Sequence, residues 1–117
     1  MASAQPPVIA CNLDALSPAE RERRAALAHA LVRQAQSVQE LPDGYALEFP
    51  VTSSLAHESL DWLLLERRCC RFFRLELELE PGEGSLWLRL RGGPGVKEFL
   101  AAAGVVSAPV GSAACTC

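Results

Sequence analysis

The sequence predicts an α/β fold: a two-layer sandwich of order β-α-β-α-β-β-α, with a four-stranded mixed sheet and helices on one face. Three observations predict it. The chain has 117 residues, 50% of them hydrophobic and 21% charged, which suffices for one buried core without staples. Ser17-Pro18-Ala19-Glu20 is a capped helix start. Phe73, Leu75, Leu77 and Leu79 alternate with Arg74, Glu76, Glu78 and Glu80, and beyond Pro81-Gly82-Glu83-Gly84 the residues Leu86, Leu88 and Leu90 alternate with Trp87, Arg89 and Arg91. That alternation is an antiparallel hairpin with a leucine face and a largely charged face.

The elements follow in order. Residues 1–6 are a loose leader, and residues 7–11 form a short apolar run with two β-branched residues, read as a buried strand. The helix capped by Ser17 carries Leu27, Leu31, Ala35 and Val38 at helical spacing, with Glu22, His29, Arg33, Gln36 and Glu40 opposite, and should run to about Gln39. Pro42-Asp43-Gly44 stops it. Tyr45, Leu47 and Phe49 share one face of a second strand, and Pro50 marks an edge position or its end. Ser53 or Ser54 caps a second helix to about Cys70, with Ala56, Leu60, Leu63 and Leu64 as its buried stripe. In the hairpin, a four-residue loop sets Glu76 opposite Arg89. Gly92-Gly93-Pro94-Gly95 leads into a short helix over 94–103 with Val96, Phe99 and Leu100 on its apolar side, and Gly104 ends it. Residues 7–104 are thus expected as one domain and 105–117 as a flexible tail.

Charge and hydropathy exclude some partners. A net charge of −3 argues against nucleic acid, whose phosphates require a basic face. No apolar run reaches the ~20 residues a membrane helix needs. Val8-Ile9-Ala10-Cys11 loosely resembles a lipoprotein cleavage box, but no basic residue and no apolar segment precede it, so no signal peptide is expected. The expected location is a reducing cytoplasm.

Five cysteines leave at least one unpaired within the chain. The most informative are the neighbours Cys69 and Cys70. Adjacent Cα atoms sit ~3.8 Å apart, below the usual disulfide range, so a bond between them would be strained. On a regular helix the two thiols diverge by ~100°, but at a helix end both can turn to one site. Arg67, Arg68, Arg71 and Arg74 surround them and should favour thiolate, the reactive and metal-binding form. Glu66 precedes them on the same helix side, to relay a proton or neutralise an arginine. Buried structural cysteine is the plainer alternative. Cys11 is a candidate third thiol, though simple alternation of strands and helices would put it at the opposite edge of the sheet. Cys115 and Cys117 form a CxC tail able to capture a soft ion and pass it on. His29 and His57 are isolated, the glycines at 92–95 suit a tight turn as well as an anion, and Trp62 and Trp87 are too few for a base-stacking platform.

Ile9-Ala10-Cys11-Asn12-Leu13, Glu66-Arg67-Arg68-Cys69-Cys70-Arg71-Phe72, and Leu86-Trp87-Leu88-Arg89-Leu90 followed by Gly95-Val96-Lys97-Glu98-Phe99-Leu100 resemble a family of small uncharacterised bacterial proteins. The resemblance covers about residues 8–100. The family commonly has a proline after the double cysteine, where this chain has Arg71. It implies a loose association with resistance to mercury and other heavy metals.

The leading expectation is a soft-metal-binding protein for Hg(II), Cu(I), Zn(II) or As(III), with Cys69 and Cys70 as ligands, Cys11 as a third, and Cys115 and Cys117 as an acquisition arm facing a metal-transfer protein. Four thiolates would favour tetrahedral zinc, and two or three leave room for Hg(II) or Cu(I). The alternatives are a thiol enzyme, redox or organometal lyase, with Cys69 or Cys70 as nucleophile and Glu66 as proton donor, and a non-catalytic module that dimerises through an edge strand. A sulfur–sulfur approach within ~4 Å between Cys11 and the pair is the geometric condition for a shared site.

Overall fold

The computed structural model describes residues 10–105. A 3₁₀ turn at Leu13–Ala15 precedes α1 (Pro18–Gln34), β1 (Ser37–Leu41), β2 (Gly44–Phe49), α2 (Ser53–Cys69), β3 (Phe73–Leu79), β4 (Leu86–Gly92) and α3 (Val96–Ala102). The strands form one sheet of order β1-β2-β4-β3. Leucines of the sheet's inner face pack against all three helices, giving the two layers expected.

α1 starts as read. The Ser17 hydroxyl accepts from the Glu20 backbone N–H, and the Glu20 carboxylate accepts from the Ser17 N–H. It ends earlier than expected, at Gln34 rather than about Gln39. Residues 37–41 instead form an edge strand paired with β2, with Leu41 opposite Gly44 across a turn of Pro42 and Asp43. Pro42-Asp43-Gly44, read as a helix stop, is thus the turn of a hairpin. Sheet pairing overrides the weak helical spacing of Ala35 and Val38, because β2 without β1 would leave a buried strand with one unbonded edge. Pro50 follows the end of β2, which is an inner strand.

The sheet is antiparallel throughout, not mixed. The mixed arrangement required a first strand over residues 7–11. Ala10 and Cys11 lie in no strand, and residues 7–9 are outside the described range. Hairpins β1–β2 and β3–β4, linked by α2, then bring β2 antiparallel to β4. The β3–β4 register is the one read from sequence, with Glu76 opposite Arg89 and Glu80 N–H closing the loop onto the Ser85 carbonyl.

The inner face is made by Leu47 and Phe49 of β2 and Leu86, Leu88 and Leu90 of β4, all buried, with Leu75 and Leu77 of β3 packed beside them. Each fully buried leucine contributes roughly 1.5–3 kcal/mol. Leu31 of α1, Leu55 and Leu63 of α2, and Val96 and Leu100 of α3 close this core. On the other face Arg91 pairs with Asp43 and Glu76 at 3.0 and 3.3 Å. Such partly exposed pairs add little stability. Gly44 is required where β2 meets β4, since a Cβ there would lie 1.9 Å from the Leu90 carbonyl oxygen.

The stripe of α2 differs from the one read. Leu55, Ser59, Leu63, Leu65, Glu66 and Cys69 are buried, whereas Leu60 and Leu64 are about half exposed. The helix has apolar residues on more than one side. The side that packs inward is the one carrying Trp62, Glu66 and Cys69, because α1 covers it.

Candidate functional site: a buried thiol–carboxyl cluster

The end of α2 brings the two adjacent cysteines together. Cys69 is its last residue and Cys70 its C-cap, with φ −120° and ψ 78°. Leaving helical geometry at Cys70 lets both side chains turn inward, and their sulfurs lie 3.5 Å apart. Both residues are buried, at 1% and 0% exposure.

Cys11 joins them. The Asn12 N–H donates to the Cys69 carbonyl oxygen at 2.6 Å, which pins the N-terminal segment along the end of α2. Leu16, Leu27 and Leu65 pack around it. Cys11 Sγ and Cys70 Sγ are at disulfide-bonding distance, 1.96 Å, with Cα atoms 4.4 Å apart. Cys69 stays a free thiol. The topological objection to Cys11 disappears because this segment is not a sheet strand. Cys11 is half-buried, the most exposed residue of the three.

Glu66, one helical turn before Cys70, completes the cluster. One ligand atom each from Cys11, Glu66, Cys69 and Cys70 lie within 4.8 Å of one another. Glu66 Oε2 accepts from Arg24 Nε at 2.7 Å, and Arg24 Nη2 lies 3.8 Å from Cys11 Sγ and 3.7 Å from Cys70 Sγ. Arg24 sits on the inward side of α1, one turn before Leu27 and Ala28. Its role was missed in the sequence, although an arginine on an apolar helix stripe is a legible signal of a buried partner.

The electrostatics differ from the expectation built on neighbouring arginines. Arg67, Arg68 and Arg71 are exposed, and Arg68 is held by Glu20 at 2.9 Å. Arg74 is also exposed and pairs with Glu76. Among the described residues, Arg24, from another helix, is the arginine hydrogen-bonded to the sulfurs, and Arg68 acts on Cys69 only through its more distant charge. Burial pushes the Cys69 thiol above its ordinary value, Arg24 opposes this, and Glu66 adds to it. Burial likewise pushes the Glu66 carboxyl up, against the pull of Arg24. Raised from an ordinary value of 9.0, Cys69 rests as a protonated thiol at neutral pH.

His29 and His57 are exposed and outside the cluster; His57 Nδ1 lies 2.9 Å from the Ser53 carbonyl. The glycines at 92–95 form the turn before α3, with Gly95 in the left-handed region at φ 95°. Cys115 and Cys117 lie outside the described residues. No helix among the described residues is long and apolar enough to cross a membrane.

Fold and site together define a two-layer α/β protein with a buried cluster of three cysteines and a glutamate that could hold a metal ion. No family model, no curated protein and no solved structure matches the chain.

Proposed function

We propose that the reduced protein binds a thiophilic metal or metalloid ion through Cys11, Cys69 and Cys70, with Glu66 beside them. One observation carries the reading: four ligand-bearing side chains from two distant chain segments converge within 4.8 Å in a buried setting. Two or three sulfurs suit Hg(II), Cu(I) or As(III), and a fourth donor from Glu66 would complete a tetrahedral zinc site. The motif resemblance favours mercury. The Cys11–Cys70 bond then acts as a redox gate, since both sulfurs must be free thiols to bind an ion. A reducing cytoplasm supplies that state. Sequestration or hand-over to a metal-transfer protein fits a site whose most exposed residue is Cys11.

The test is titration of reduced protein with Hg(II), Cu(I), Zn(II) and arsenite, followed by native mass spectrometry. One ion per chain is expected, lost in Cys69→Ser/Cys70→Ser. Uptake unchanged in that variant refutes the reading.

The disulfide favours a second reading, a dithiol–disulfide redox protein in which Cys11 and Cys70 cycle and Cys69 remains a bystander 3.5 Å from Cys70. Catalysed reduction of a disulfide substrate, retained in Cys69→Ser and without stoichiometric metal uptake, would select it.

A further inference from the structure

Beside the cluster lies a pocket of about 220 Å³ between α1, α2, α3 and the sheet. Its walls are apolar and include Ala28, Leu31, Leu47, Leu88 and Phe99. Its polar edge is Arg24 and Glu66, the two side chains that also border the sulfurs. Trp62 is another lining residue, and its Nε1 is buried with no hydrogen-bond partner among the described residues. An apolar cavity of about 150 Å³ is enough to hold benzene, so this space accommodates a ring of that size. The π face of a ring is also a weak acceptor that an indole N–H can use.

We propose that the pocket holds the organic group of a mono-organyl soft metal or metalloid whose metal end bonds the cysteine sulfurs. Resting on the metal-binding reading, this names the substrate class of the same site: a small aryl or alkyl compound of arsenic(III) or mercury(II), rather than the bare ion. Two features carry it. The pocket and the thiol cluster share Arg24 and Glu66 as bordering side chains, and the pocket's walls offer hydrocarbon a place out of water. A bare ion would leave that space unused.

The chemistry balances without electron transfer at the metal. A cellular thiol first opens the gate, two molecules giving one disulfide while Cys11 and Cys70 become thiols. An organoarsenic species R–As(OH)₂ then exchanges two As–O bonds for two As–S bonds. The two thiol protons leave with the two hydroxides as water, and R stays on arsenic.

Binding of arsenite, methylarsenic(III) and phenylarsenic(III) to the reduced full chain tests this, with dithiothreitol as a reference dithiol lacking a pocket. The phenyl-over-arsenite affinity ratio should exceed that of dithiothreitol at least tenfold. Ala28→Leu should bring the ratio to within about twofold of the reference while arsenite binding persists. Val32 also lines the pocket, so Val32→Phe fills it independently should Ala28→Leu not fold. Arsenite binding without a phenyl preference overturns the pocket assignment alone. A phenyl preference retained in both filled variants overturns it as well. Binding of none of the three, with no uptake of Hg(II), Cu(I) or Zn(II) either, overturns the metal reading together with it.

Discussion

Opening the bond between Cys11 and Cys70 should destabilise the protein by an amount set by the loop it closes. The two residues are 59 apart in sequence. For a loop of that length the chain-entropy relation gives about 14 cal/mol/K, or about 4 kcal/mol at 25 °C. Typical domains have only about 5–15 kcal/mol in total, so the effect is a large share. Urea unfolding followed by the fluorescence of Trp62 and Trp87 measures it, in oxidised and fully reduced buffer. With an m-value of about 2 kcal/mol/M, the midpoint should fall by about 2 M on reduction. Cys11→Ser should unfold at the reduced midpoint in both buffers. One soft ion that ties Cys11 back to α2 should restore about 2.7 kcal/mol at a free concentration of 100 Kd. Identical midpoints for oxidised and reduced wild type would refute the reasoning, because they would mean that the N-terminal segment is held in place without the cross-link.

Three other outcomes are expected. Arg24→Met removes the partner of buried Glu66 and should cost about 2–3 kcal/mol at pH 7, less in acid where the carboxyl is protonated; denaturant melts at two pH values measure both. The Arg68 guanidinium and the Ser17 N–H hold the Glu20 carboxyl down to about 2, so its contribution is complete above the ordinary value of 4.5 and is lost as pH falls toward 2. An NMR titration of the Glu20 carboxyl carbon should show this low midpoint and its partial return toward 4.5 in Arg68→Ala, with the Ser17 N–H still in place. Gly44→Ala should cost about 2 kcal/mol or more, read by thermal melting, because its Cβ would overlap the Leu90 carbonyl oxygen.

Local signals located most of the elements. The Ser17 capping box, the β3–β4 alternation and the glycine before α3 each depend on residues a few positions apart, so their chemistry is written in short stretches of chain. The pairing of Glu76 with Arg89 follows from loop length and strand period alone. Residues 35–41 carry both helical spacing and strand tendency, and β2 decides between them from outside the segment.

The site divides along the same line. Cys69, Cys70 and Glu66 were legible as neighbours on one helix end, and the helix does stop where both sulfurs can face one point. Short-range sequence supplies these thiols and the carboxyl. Long-range packing selects the groups that act on them. It brings Cys11 onto Cys70 across 59 residues, selects Arg24 of α1 over the four arginines beside the pair, and opens an apolar pocket next to Glu66. The physical reason is burial. The exposed arginines remain in water, where their charge is screened, while a group carried on a packed helix enters the low-dielectric interior and dominates.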